Sequence, residues 1–175
     1  MARSGLFFMA AFLCFVLLYS GTAEAAPSIT EWYAGDYSLT SPQGITSSGS
    51  GLSGKLWIAA YNYIGQMTPD GTMASYLIPT TGPRPIGIIE GPDGNIWFAE
   101  SSTNKIGKIT PAGDITEFAV PLPTYDPGNM DIAAGSDGAL WFTYYSNIGR
   151  ITTAGIITEY PLSLGSQPRS LSDLK

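Results

Sequence analysis

The sequence of 175 residues contains no histidine and one cysteine, Cys14. The lack of histidine removes the commonest general base and the commonest zinc ligand. Cys14 lies in an N-terminal segment that we expect to be cleaved off, so the mature chain would have neither a disulfide nor thiol chemistry. Charged residues are also scarce, at 13%, with a net charge of −6. An acidic chain without a basic stripe argues against a nucleic-acid partner, because phosphate binding depends on clustered Lys and Arg.

Residues 1–25 predict a secretory signal peptide. A basic residue, Arg3, precedes an apolar run from Leu6 to Leu18, and Ala23 and Ala25 have the A-x-A spacing of a cleavage site. The alternative, an uncleaved membrane anchor, needs about 20 apolar residues. We therefore expect a secreted or periplasmic protein with no membrane partner after cleavage.

Three copies of one repeat follow this segment. Their third-strand glycines, Gly65, Gly107 and Gly149, are 42 residues apart in both intervals, a period typical of propeller blades. The clearest copy runs from Pro85 to Pro121 and reads PIGIIEGPDGNIWFAESSTNKIGKITPAGDITEFAVP. Its short apolar runs are divided by Asp-Gly and Pro-Ala-Gly turns. Each copy predicts four antiparallel strands, and such units predict an all-β fold, the β-propeller.

The predicted propeller over residues 26–175 is incomplete. We assign a closing strand at 29–33, blades at 42–79, 85–121 and 127–162, and a stub at 166–175. The closing strand is expected because residues 29–32 (ITEW) match the fourth strands of the later copies. Propellers close with about 4 to 8 blades, so this chain needs either missing blades from a longer reading frame or self-association of copies.

The repeat resembles that of the streptogramin B lyases, also called virginiamycin B lyases. The resemblance rests on P-x-G-I, G-P-D-G-N-I-W-F-x-E, N-K-I-G-[KR]-I-T and G-x-I-T-E-[FY]-x-[LV]-P, and extends from Ile29 to about Leu171. It implies a seven-bladed propeller that opens the macrocyclic lactone of type B streptogramins by elimination, using a magnesium ion and a histidine base. In the family that histidine and the metal-binding acids belong to late blades, which the three copies do not include.

In a propeller, the connections between blades share one face with the loops between second and third strands, so both predict the mouth of the channel. At the x of P-x-G we place Gln43, Ile86, Asn129 and Arg169, with Met130 at the glycine position of the third blade. At the end of the W-F strand we place Ala60, Glu100 and Tyr144. The predicted ligand-binding residues are Gln43, Tyr61, Tyr63, Glu100, Asn129, Tyr144 and Tyr145.

Two of these positions bear on the implied activity. Gln43 stands where the first blade of the family has a substrate-contacting tyrosine, whereas Glu100 retains the acid of the motif. With Asp126 and Asp131 near it, Glu100 offers at most a weak magnesium site. We assign no catalytic residue, and we expect magnesium as a cofactor only if the family activity is retained.

Other repeated residues have structural explanations. The Asp-Gly pairs at 70, 93 and 137 predict turns rather than calcium sites. Trp57, Trp97 and Trp141 predict packing between blades rather than sugar-binding platforms. Glu31, Glu117 and Glu159 predict solvated charges on outer strands.

Two hypotheses for the function remain open. The first is a lyase-like propeller whose parent opens a cyclic lactone, while this chain is inactive. The second is a non-catalytic secreted propeller that binds a glycan, a peptide, a protein or a small molecule through its aromatic channel mouth.

Overall fold

The computed structural model describes residues 15–16, 30–31, 39–49, 54–121, 130–144 and 147–162. These residues form fourteen β-strands and no α-helix, so the all-β prediction is confirmed. The chain divides into two units, Met1–Tyr37 and Ser38–Lys175. No helix among the described residues is long and apolar enough to cross a membrane.

In the first unit, β1 (Phe15–Val16) and β2 (Thr30–Glu31) form an antiparallel pair. β2 falls within the predicted closing strand 29–33. The closing role and the signal peptide stay predictions, and the predicted stub lies outside the described residues.

The second unit contains three four-stranded antiparallel sheets, each with its strands in chain order. We call them blades 1, 2 and 3. Blade 1 consists of β3 Gly44–Ser48, β4 Lys55–Ala60, β5 Tyr63–Met67 and β6 Met73–Leu77. Blade 2 consists of β7 Pro85–Glu90, β8 Ile96–Glu100, β9 Lys105–Ile109 and β10 Ile115–Ala119. Blade 3 consists of β11 Asp131–Ala134, β12 Leu140–Tyr144, β13 Asn147–Ile151 and β14 Ile157–Pro161.

The blades pack face to face, with their first strands closest together. A Cβ atom on Gly44 of β3 would lie 2.3 Å from the carbonyl oxygen of Ile86, and one on Gly87 would lie 2.9 Å from the backbone nitrogen of Ile132. Only glycine permits such a close approach between backbones. Two apolar cores fill the wider spaces between blades 1 and 2 and between blades 2 and 3.

The tryptophans of blades 1 and 2 anchor this packing. Trp57 and Trp97 are fully buried, and each stacks on an aromatic ring of the fourth strand of its own blade. The indole N–H of Trp97 donates to Asp93 at 2.9 Å, and that of Trp141 donates to Asp137 at 3.2 Å. Each aspartate thus accepts a hydrogen bond from within its own hairpin. This agrees with the prediction that the Asp-Gly pairs form turns.

The third-strand glycines accommodate large side chains. A Cβ on Gly107 would lie 2.1 Å from the ring of Phe98, and one on Gly149 would lie 2.1 Å from the ring of Phe142. In blade 1, Leu39 covers Gly65 instead. A Cβ on Gly65 would lie 2.7 Å from the Leu39 side chain. The preceding connection therefore supplies the apolar cover that a phenylalanine supplies in the later blades.

The pairing register corrects the alignment of blade 3. Ile45 pairs with Ile58, and Ile132 pairs with Phe142 at the matching position of blade 3. The residue before Ile132 is Asp131, so Asp131 occupies the position of Gly44. The sequence analysis wrongly placed Met130 there, because the third copy lacks the P-x-G sequence that would fix the alignment.

Candidate functional site

Three backbone hydrogen bonds and one bond to a serine side chain join the connections between blades to the loops between second and third strands. Tyr61 N–H donates to Thr40 O at 3.3 Å, and Arg84 N–H donates to Tyr61 O at 3.2 Å. Ser101 N–H then donates to Arg84 O at 3.2 Å, and Met130 N–H donates to Ser101 Oγ at 3.1 Å. Residues 40–43, 61–62, 83–84 and 101–104 therefore form one surface, which we call the loop face.

Two of the predicted ligand-binding residues are exposed on or beside this face. Gln43 is exposed, and among the described residues its amide donates to the carbonyls of Ser41 and Pro42. Tyr61 is 50% exposed, whereas Tyr63, two residues on, is half-buried. Asn129 and Tyr145 lie outside the described residues.

The position that ends the W-F strand does not line an open mouth. Ala60, Glu100 and Tyr144 are all fully buried, so their side chains lie inside the blade packing rather than where the sequence analysis placed them. Burial, together with the nearby Glu159 carboxylate, raises the pKa of the Tyr144 hydroxyl. The hydroxyl has no hydrogen-bond partner among the described residues.

Glu100 is a buried acid with one unsatisfied oxygen. Its Oε2 accepts a hydrogen bond from Thr103 Oγ1 at 2.7 Å, whereas Oε1 has no partner among the described residues. Burial raises the pKa of Glu100 to about 7, and the nearby Glu117 carboxylate adds to the rise. The protonated form of Glu100 is thus favoured below about pH 7.

Glu117 belongs to the same cluster rather than to a solvated edge. It accepts hydrogen bonds from Thr80 Oγ1 and, at 3.3 Å, from Thr80 N–H, and it pairs with Lys105 Nζ at 3.4 Å. Burial alone would raise the pKa of Glu117, but the bonds from Thr80 and the neighbouring Glu100 and Lys105 lower it below its ordinary value. The edge prediction is therefore wrong for Glu117, although Glu159 is exposed.

These residues do not fit a magnesium ion. Magnesium keeps several waters and needs near-octahedral space, but Glu100 is fully buried and Glu117 is already bound by a cation and a hydroxyl. Asp131 Oδ1 accepts the N–H of Ile132 at 3.0 Å within its own strand. Asp126 lies outside the described residues, and the described part contains no group of three or more metal-binding side chains.

The sequence analysis missed Arg84, an exposed cation on the loop face. Its backbone has φ 46°, in the left-handed region, and such strain in a non-glycine residue is often found at functional positions. The run Gly82-Pro83-Arg84-Pro85 was the available signal, because flanking prolines force a tight turn. Arg84, Tyr61 and Gln43 together give the loop face a cation, an aromatic ring and an amide.

This protein is a β-propeller, because its four-stranded sheets repeat, each blade packs against the next and the blades share one loop face. Three comparisons identify the family. The model of the virginiamycin B lyase family matches residues 25–170. This chain therefore belongs to the virginiamycin B lyase family.

Individual relatives agree with this assignment. A virginiamycin B lyase of Nocardia farcinica is 35% identical over 65 residues, which are 37% of this chain and 22% of the relative. A solved streptogramin B lyase is 38% identical with a TM-score of 0.70, covering 79% of this chain and 46% of that one. A catalytically inactive Staphylococcus aureus virginiamycin B lyase with quinupristin is 38% identical with a TM-score of 0.68, covering 82% and 47%. The chain thus spans about half the length of these solved lyases.

Proposed function

We propose that this chain is part of the framework of a secreted propeller of the lyase type and that, alone, it does not open a lactone ring. The observation that carries the proposal is the burial of Glu100. An elimination needs a base beside the proton to be removed and a cation near the developing negative charge. A carboxyl group enclosed between blades and bonded to Thr103 can serve neither requirement for a ligand at the surface.

The test is a ring-opening assay of the purified chain on a type B streptogramin, with and without magnesium. We expect no linearisation above a control without protein, and no difference between the chain and Glu100→Gln. Magnesium-dependent opening that Glu100→Gln abolishes would contradict the proposal. N-terminal sequencing of the exported protein should find Ala26 or Pro27 first, and retention of Met1 would contradict secretion by cleavage.

A second function, binding without catalysis, is supported by the exposure of Tyr61 next to Gln43 and Arg84. An exposed aromatic ring beside polar groups can stack on the apolar face of a ligand while the polar groups accept or donate hydrogen bonds. The test is titration with quinupristin or an oligosaccharide, followed by NMR of the backbone amides of the loop face. Saturable shifts that Tyr61→Ala removes and Tyr63→Phe preserves would support binding, and unchanged spectra would count against it.

A further inference from the structure

Arg84 is the one cation of the described residues whose side chain has no hydrogen bond or ion pair within that part of the chain. The others all have partners: Lys55 bonds to an amide, Lys105 and Arg150 pair with carboxylates, and Lys108 donates to a backbone carbonyl. Arg84 is instead exposed on the loop face. A free guanidinium presents its N–H donors in a planar fork that matches a carboxylate.

The backbone conformation at Arg84 is unfavourable for an arginine. Its φ is 46° although it precedes Pro85, and a residue before proline is normally held at negative φ. The position three residues before the first-strand glycine position is Ser41 in blade 1, with φ 54°, and Gly128 in the sequence of the third copy. Glycine adopts a positive φ at little cost. Blade 2 thus has a strained cation where the backbone favours glycine.

Neighbouring residues fix this conformation. Arg84 N–H donates to Tyr61 O at 3.2 Å, and Arg84 O accepts the N–H of Ser101 at 3.2 Å. Pro83 and Pro85, on either side, are buried. A side chain on a fixed backbone loses less conformational freedom when it binds a ligand. The guanidinium is therefore presented to solvent from a rigid base.

Tyr61 supplies an aromatic surface beside this cation. One hydrogen bond joins the backbones of the two residues, so their side chains start close together, and Tyr61 is 50% exposed. A guanidinium can form two parallel hydrogen bonds with a carboxylate, and an exposed aromatic ring can stack on an apolar ring. We propose that Arg84 and Tyr61 bind a small organic acid in which a carboxylate is attached to an apolar ring. This rests on the binding role proposed above and adds the chemical class of the ligand.

The charge of the chain favours a ligand with a single negative charge. The net charge is −6, and Arg84 is the only cation of the loop face as defined above. A phosphate monoester carries about −1.5 to −2 at neutral pH, so the rest of the chain repels it more strongly than it repels a carboxylate. A carboxylate is therefore the better match.

The test compares three ligands with the same ring and different head groups: phenylacetate, phenylacetamide and phenyl phosphate. Each is titrated into the chain at neutral pH, and the backbone amides of the loop face are followed by NMR. Phenylacetate should give saturable shifts and bind about tenfold or more tightly than phenylacetamide, because only the acid pairs with the guanidinium. Phenyl phosphate should bind less tightly than phenylacetate.

Three variants locate the site. Arg84→Gly removes the cation and relieves the strain, because glycine adopts φ 46° freely. It should weaken phenylacetate binding about tenfold or more and leave the thermal midpoint unchanged or higher. Lys55→Gln, which removes the same charge at the start of β4, is the matched control and should bind like the unmodified chain. Asp126→Asn removes an acid of the connection between blades 2 and 3 that lies outside the described residues, and it should also bind like the unmodified chain.

Four results would overturn the carboxylate assignment: equal binding of phenylacetate and phenylacetamide, tighter binding of phenyl phosphate, phenylacetate binding that Arg84→Gly preserves, or binding that appears only in Asp126→Asn. The last result would mean that the chain's own acid occupies Arg84. If all three phenyl ligands leave the spectra unchanged while quinupristin or the oligosaccharide shifts them, this inference alone fails and the proposed binding role stands. Unchanged spectra with every ligand would overturn both.

Discussion

Blades 2 and 3 are copies of one repeat in different surroundings. Trp97 and Ile106 of blade 2 are fully buried by blade 3, whereas the matching Trp141 and Ile148 of blade 3 are only partly buried. The contribution of a repeated residue to stability therefore depends on whether a neighbouring blade covers it. This is expected when stability comes from interfaces between repeats.

The largest expected effect comes from removing the tryptophan of each blade. Trp97→Ala should lower the free energy of unfolding by about 3–5 kcal/mol, because it empties a fully enclosed space. Trp141→Ala should cost about half as much or less, since its site is already open on one side. Urea unfolding of both variants measures the difference. Equal losses of unfolding free energy would contradict the view that blade 3 encloses Trp97.

A smaller effect is expected at the third-strand glycines. Gly107→Ala should destabilise by about 1–3 kcal/mol, because the new methyl group collides with the Phe98 ring. Gly65→Ala should cost less, since the atom in contact is the end of the Leu39 side chain, which can rotate away. The same unfolding assay tests both, and a larger loss at Gly65 would contradict the cover that we assign to Leu39.

The smallest expected effect is a pH dependence of stability. Burial raises the folded-state pKa of Glu100 from its ordinary 4.5 to about 7, so the folded chain holds this proton more tightly than the unfolded chain. This contribution to stability is complete below about pH 4.5 and is lost as the pH rises through about 7.

Glu100→Gln should remove this contribution, because a neutral amide does not titrate. We therefore expect its thermal midpoint to fall less than that of the unmodified chain between pH 5 and about pH 8. Asp114→Asn, which removes an exposed carboxyl group, is the matched control and should follow the unmodified profile. Parallel profiles for all three proteins would show that the pKa of Glu100 is not raised in the folded state.

The sequence predicted the architecture well because alternation and turn residues are local signals. The four antiparallel strands predicted for each copy are present in blades 1, 2 and 3, and the fold class is confirmed. The alignment of blade 3 failed at Asp131 because no proline or glycine marks that strand. Register there depends on pairing with β12, which the repeat pattern alone did not reveal.

The candidate site was less predictable because it depends on contacts between distant segments. The burial of Glu100 results from packing between blades, and Glu117 binds Thr80, which is 37 residues away in the sequence. No sequence motif predicts either of these contacts. Tyr61, in contrast, lies in a loop, and its exposure follows from that position.

The central claim, that Glu100 belongs to the packing between blades and not to a metal centre, can be tested by NMR titration of its side-chain carboxyl carbon. The structure predicts a midpoint of about 7, unchanged when magnesium is added, and a clear shift when Lys105→Met alters the neighbouring charges. A midpoint near the ordinary 4.5, combined with a magnesium-dependent change of the Glu100 signal, would contradict the claim.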